Sequence, residues 1–276
     1  MTLSPGSVSV LILAGRRTVG PPDAVAAAGG RSVKAFVEIN GQSMLERVVR
    51  TLRQSLAIGE IHLCLPDEAD LAEGGPGLAS AIAAGPFARV APASSPSASV
   101  RSFVAPRLDR QIVLVTTADH PLLTPAMVET FLEAFATSGA EVGVALADAD
   151  RISSLYPQSR RTKLAFSDGR LTGCNLFAFR GDGAVRVLDF WRQVDRHRKQ
   201  PWRIAHALGW GTLALYLCGR LALAGLFTRL SRRFDCRLQA VRLEDPHAGI
   251  DVDTPDDLRL VTEIIVRRES GAGRAG

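Results

Sequence analysis

Aromatic residues make up only 6% of this 276-residue chain, and its four cysteines stand far apart. Cys64, Cys174, Cys218 and Cys236 show no short paired spacing of the kind a structural zinc site needs, so they read as buried thiols of a reducing compartment. The opening MTLSPGSVSV has neither the basic nor the apolar region of a secretory leader, and a cytoplasmic location is the expectation. Basic residues are not gathered with aromatics as a nucleic-acid face would require, so no nucleic-acid partner is expected. The formal charge of +5 instead favours acidic partners such as phosphates, nucleotides or anionic lipid heads.

What the chain does have is alternation. Val8–Ala14, Glu60–Leu65, Ile112–Val115 and Glu141–Leu146 are short apolar runs with the length of buried strands. Between them, Ser43–Gln54 and Pro125–Thr137 carry apolar residues at helical spacing, and 100–108 reads as a further helix. Ser43 with Glu46, and Thr124 with Pro125, mark the two helix starts. The Gly-, Ala-, Pro- and Ser-rich residues 66–97 give only a weak reading. Beyond residue 150 a β-hairpin is expected around Asp168–Gly169, followed by the apolar strand Cys174–Phe179 and helical material over 182–231. A strand at Cys236–Leu243, a helix from Pro255 to Val266 and a disordered tail at 268–276 complete the reading.

Strands alternating with helices predict a three-layer α/β/α, Rossmann-like, mostly parallel sheet. The expected organisation is one domain over 1–267, with 151–235 as a hairpin and helical insertion. Ligands of such sheets bind beyond the carboxyl ends of the strands, at a switch in strand order.

Three features fall at such ends. Gly15, Arg16, Arg17 and Gly20 form a loop closed by Lys34, a composition able to cradle phosphate oxygens. Asp119 follows a buried strand, while Thr124 already supplies the cap of the next helix. Asp251 and Asp253 are two apart on an extended segment and so point the same way, ahead of a helix whose own start is explained by Thr254, Pro255, Asp256 and Asp257. Two carboxylates from distant segments, completed by a phosphate, suit Mg²⁺.

The stretches LILAGRR…KAFVEINGQSMLERVVRTL, TTADHPLLTPAMVETFL and GIDVDTPDDLRLV, in that order, resemble the signature regions of MobA-like NTP transferases, nucleotidyltransferases with a glycosyltransferase-A-like fold. The resemblance covers about residues 8–150 and 236–267. It implies that Leu13, Ala14, Gly15, Arg16 and Lys34 hold a nucleoside triphosphate. It also implies that Asp119 and Asp253 bind Mg²⁺, and that Ser95 and Ser99 lie in the segment that reads the base. Lys34, Arg16 and Asp119 would form the catalytic set, and the acceptor would be a phosphorylated small molecule. The loop departs from the family pattern in having one glycine before Arg16 and Arg17, and in lying about twice as far from its lysine. Asn175 is the candidate acceptor contact, on the strand that enters the pocket. A glycosyltransferase of the same fold would be expected to carry Asp-x-Asp after the central strand, where this chain has a single Asp119. A non-catalytic, membrane-peripheral binding protein is the other alternative.

From Ala207 to Thr228 only Arg220 is charged, yet the uncharged part, Ala207–Gly219, is 13 residues, short of a membrane span. Two helices broken near Gly219 are expected, packed on the acceptor side of the sheet. The alternative use of 204–233 is peripheral contact with the inner surface of a membrane, with Arg229, Arg232 and Arg233 on anionic lipid.

Overall fold

The computed structural model describes residues 3–15, 23–196 and 209–272. Its main element is an eight-stranded sheet in the order β10-β7-β9-β6-β1-β4-β5, with β8 paired to β9. The strands are β1 (Val8–Leu13), β4 (Ile58–Cys64), β5 (Phe87–Val90), β6 (Ile112–Thr117), β7 (Val142–Asp148), β8 (Leu164–Phe166), β9 (Gly169–Phe179) and β10 (Leu238–Leu243). A separate two-stranded hairpin, β2 (Glu38–Ile39) with β3 (Gln42–Ser43), turns at Asn40–Gly41, both at positive φ as the tightest hairpin turn demands.

Strands β4 and β5 lie on one side of β1, and the chain then crosses to place β6 on the other. The switch in strand order therefore falls at β1 and β6. Their register sets Leu13 opposite Thr117, so the two strands end level. β9 runs antiparallel to both β6 and β7 and lies between them. The sheet is mostly parallel, as the alternation predicted, with one reversed strand at its centre.

Alternate side chains of β1 serve opposite faces. Val8, Val10 and Ile12 join the larger core with α2 (Met44–Arg53), α5 (Pro125–Ser138) and α10 (Pro255–Ala272), whereas Leu11 joins Phe103, Val104 and Leu188 of α4 (Pro96–Val104) and α7 (Ala184–Arg196). Phe131 and Phe135 of α5 are fully buried, each contributing about 1.5–3 kcal/mol by leaving water. Ser43 caps α2 by accepting from the Glu46 amide at 3.2 Å, and Thr124 caps α5 through the Met127 amide at 3.3 Å.

Several elements differ from the sequence reading, among them the short helices Ala24–Ala28, Gly75–Ala83 and Ala149–Leu155, which it does not place. α4 starts at Pro96, four positions ahead of the expected 100, and β5 lies within the weakly read 66–97. α10 continues past Val266 to Ala272, into positions assigned to a disordered tail. Its extension is anchored where Arg47 donates to Glu269 at 2.9 Å, a contact between segments that no local pattern encodes.

In the insertion, α8 (Trp210–Leu217) is followed by Gly219, whose φ of +66° turns the chain before α9 (Leu223–Phe234). Leu223, Leu226 and Phe227 of α9 pack with Leu146, Phe166 and Leu171, forming a third, smaller core. Among the described residues, no helix is long and apolar enough to cross a membrane.

Candidate functional site

The site grows from the level ends of β1 and β6. The Ala14 amide donates to the Cys64 carbonyl at 3.0 Å, and the Ala118 amide to the Leu13 carbonyl at 2.9 Å, which carries the strand pattern one step past each end. Gly15 follows, with nothing among the described residues within 4 Å of where a side chain would start. Arg16, with the rest of 16–22, lies outside the described residues. The chain returns at Asp23, which caps the short helix α1 (Ala24–Ala28) by accepting from the Val25 and Ala26 amides at 2.9 and 3.1 Å.

Lys34 opens a single 3₁₀ turn, Lys34–Phe36, and points into the space beside these strand ends. Its Nζ donates to Asp119 Oδ2 at 2.6 Å, to the Val252 carbonyl at 2.9 Å and to Asp253 Oδ1 at 3.2 Å. Three segments far apart in sequence thus meet at one ammonium. Burial works against the lysine's charge, but Asp119 and then Asp253 outweigh it, and the pKa is raised above the ordinary lysine value. The backbone repeats the link, because the Val252 amide donates to the Asp119 carbonyl at 2.9 Å.

The two carboxylates differ in surroundings. Asp119 is 17% exposed and Asp253 66%. The second oxygen of Asp119, Oδ1, is buried and has no hydrogen-bond partner among the described residues, and neither do the Thr116 and Thr117 hydroxyls. A buried, unsatisfied carboxylate oxygen is costly unless a cation reaches it. One enclosed and one open carboxylate, already sharing a positive charge, fit a hard divalent ion that keeps several waters. Among the described residues no group of three or more His, Cys, Asp or Glu is arranged for a metal, so further ligands would have to come from substrate phosphate and water.

Asp251 does not share this position with Asp253, although the two are only two residues apart. It is bound instead by Arg161, which also pairs with Asp257, and by Asn175 Nδ2 at 2.7 Å. Arg161 Nη2 further donates to the Asp251 carbonyl at 2.7 Å. Burial pushes the Asp251 carboxyl up to about 6, against the pull of Arg161. Asp257 in turn accepts from the Thr254 amide at 2.9 Å and the Thr254 hydroxyl at 2.8 Å, fixing the start of α10. The extended chain carrying Asp253 is therefore held from both sides.

Asn175 sits at φ +51°, an uncommon conformation for a residue with a side chain. It falls where the register of β7 and β9 shifts between Val144 and Leu146, and this irregularity accompanies the turn of its amide towards Asp251. Ser95 caps α4 through the Ala98 amide at 3.3 Å. Ser99 is buried, accepting from the Ala93 amide at 2.8 Å and donating to the Ser95 carbonyl at 3.1 Å. Both serines thus fix the loop 91–95, which leaves β5 at the same edge of the sheet as Gly15.

No local pattern signals Arg161, which stands in a polar loop with Arg160 and Lys163 and whose carboxylate partners are distant in the chain. Nor does any mark the chain of contacts from Asp245 Oδ1 to His247 Nδ1 at 2.7 Å and from His247 Nε2 to the Tyr156 hydroxyl at 2.7 Å. His120 is fully buried beside this chain, with its pKa lowered to about 4 chiefly by burial, so it is neutral at physiological pH.

The model of the family described as MobA-like NTP transferase domain matches residues 11–208. A curated relative, the bifunctional enzyme IspD/IspF of Anaeromyxobacter sp. (strain Fw109-5), is 33% identical over 141 residues, which is 49% of this chain and 35% of that protein. The chain thus spans about a third of that relative's length. A hypothetical transferase from Thermus thermophilus superposes with a TM-score of 0.72 at 25% identity, covering 92% of this chain and 99% of that one. A CMP:2-keto-3-deoxy-manno-octonic acid synthetase, in complex with CTP, has a TM-score of 0.56 at 14% identity over 95% and 99% of the two chains, a likeness of fold.

Proposed function

The chain belongs to the MobA-like NTP transferase domain family, and from that premise we propose that it transfers an NMP group from an NTP to a phosphorylated small molecule, with release of pyrophosphate. One observation carries the reading: the Lys34 ammonium bridges Asp119 and Asp253 beside the Gly15 turn. Phosphates entering there would meet the amide of Gly15, the ammonium of Lys34 and, from the stretch outside the described residues, Arg16. Leu13 and Ala14 hold that turn at the strand end. The loop fixed by Ser95 and Ser99 borders the base, and Asn175 marks the acceptor side.

In this reaction an acceptor phosphate oxygen attacks the α-phosphorus. The bond to the bridging oxygen of the β-phosphate breaks, and its electron pair leaves with pyrophosphate. Both partners are phosphates, so no protein base is needed. The protein's work is to align donor and acceptor and to offset the growing negative charge. Asp119 and Asp253 would hold Mg²⁺, which supplies charge neutralisation at the phosphates when bound. Lys34 and the Gly15 amide act on the same charge from the protein side. Arg161 and Asn175 keep Asp251, and through it the Asp253 segment, in place.

The test is pyrophosphate release measured across the four NTPs with Mg²⁺ and a panel of sugar and alcohol phosphates. Release that requires both an NTP and an acceptor, and that is abolished in Asp119→Ala, is the expected result. Turnover of an intact sugar nucleotide in place of an NTP would overturn it.

A further inference from the structure

Helix α8 is inside out. A helix packed on a globular core turns its apolar stripe inward. In α8 the positions Trp210, Ala214 and Leu217, which share one face, are exposed, Trp210 by 59% and Leu217 by 73%. Of the whole helix only Thr212 is buried. No residue of Trp210–Leu217 is charged, so the stripe has no polar rim of its own.

Charge follows in the elbow and in α9. Between Gly209 and Phe234 there are four arginines, at 220, 229, 232 and 233, and no carboxylate. Leu223, Leu226 and Phe227 turn inward, while Arg229 and Arg232 are exposed on the outer side of the same helix. The elbow is not loosely attached. The Ser167 amide donates to the Leu221 carbonyl at 2.9 Å, the Leu223 amide to Asp168 Oδ1 at 3.0 Å, and the Ala165 amide to the Tyr216 hydroxyl at 3.3 Å. These contacts seat it on the tip of the β8–β9 hairpin. Because β9 runs against its neighbours, that tip projects from the sheet edge that carries Gly15 and Asp119.

We propose that α8 and α9 form a docking surface for an anionic phospholipid membrane, with Trp210 and Leu217 entering the headgroup–acyl boundary and Arg220, Arg229 and Arg232 meeting lipid phosphates. A solvent-facing apolar stripe with a tryptophan at its end, followed by arginines whose neighbouring carboxylates Asp168 and Asp235 pair with Arg242 and Arg186, is the chemistry of an interfacial helix. A second copy of the chain fits less well. A two-fold contact centred on the elbow would bring its arginines against their own counterparts, and like charges oppose such an interface. The proposal stands on this surface alone and does not depend on the transferase reading.

The test is co-sedimentation of the full chain with vesicles of phosphatidylcholine alone and with vesicles in which about a third of the lipid is phosphatidylglycerol. The expected result is binding to the second kind only, weakened by salt. Partitioning should fall by at least about tenfold in Trp210→Ser/Leu217→Ser and again in Arg229→Ser/Arg232→Ser. All four positions are exposed, and circular dichroism checks that both variants stay folded. No binding to the anionic vesicles, or binding that neither pair of substitutions reduces, overturns the proposal. So does a dimer, seen by light scattering, that Trp210→Ser/Leu217→Ser dissolves in a protein that does not bind vesicles. Vesicle binding and pyrophosphate release are separate readouts, so failure of one leaves the other standing.

Discussion

Replacing Arg161 by methionine tests whether the segment that carries Asp253 is held by a buried cation. The Arg161 side chain is 8% exposed and serves Asp251, Asp257 and the Ser159 hydroxyl. Its loss is unequal for the two acids. Asp257 keeps the Thr254 amide at 2.9 Å, the Thr254 hydroxyl at 2.8 Å and the Asp253 amide at 3.2 Å. Among the described residues, Asp251 keeps only Asn175 at 2.7 Å. One uncompensated carboxylate rather than two puts the cost at the lower end for a broken buried pair, about 3 kcal/mol. For a chain of this size that is a fall in Tm of about 6–12 °C. The Asp251 carboxyl, already at about 6, rises further without its arginine. A folded-state pKa above the unfolded value of 3.8 adds stability below 3.8 that is lost as pH rises through the folded value. The variant should therefore lie closer to wild type at about pH 5 than at about pH 8. Arg161→Met/Asp251→Asn should recover a good part of the loss, because the stranded charge is gone. Urea denaturation of the four proteins of this cycle gives the answer. A loss below about 1 kcal/mol, or no recovery in the double variant, would refute the reasoning.

Lys34→Met should lower the rate of pyrophosphate release by about 10²–10³. It also leaves Asp119 facing Asp253 without a cation, so Mg²⁺ alone should raise its Tm more than it raises that of wild type, as read by calorimetry. His120, neutral in the fold at a pKa of about 4, binds its proton later than the unfolded chain does at 6.5. Its contribution is complete above 6.5 and lost as pH falls through 4, about 3 kcal/mol in all, and His120→Leu should flatten that part of the urea-midpoint profile. Ser99→Ala removes the contact that holds the Ala93 amide and should raise KM for the preferred NTP several-fold with little change in kcat, measured in steady-state assays.

Much of this architecture is legible in the chain. Period and caps place α2 and α5 because Ser43 and Thr124 act locally. Apolar runs place β1, β6 and β7 because strands covered on both faces carry no polar alternation. The same property hides direction: Cys174–Phe179 is equally apolar whichever way it runs, so its reversal between β6 and β7 has no sequence signal. The candidate site divides in the same way. Lys34, Asp119 and Asp253 stand at strand or helix ends, where a charged residue is conspicuous, and the fold brings both acids to the Lys34 ammonium. Arg161 is one basic residue among several in a loop, and only the fold encloses it. Ser95 and Ser99 are visible as a cluster, but their engagement with the loop backbone depends on where β5 ends.

β10 and β7 are joined to the rest of the sheet through β9 alone, since the order passes from β7 to β9 to β6. Asp119 belongs to one block of this sheet and Asp253, following β10, to the other. Across the sheet the spacing between the two acids rests on the seating of a single reversed strand, much as a keystone sets the span of an arch, with the Val252 amide and Lys34 closing the gap directly. A change deep in β9, remote from any phosphate, would be felt first as a drift in that gap.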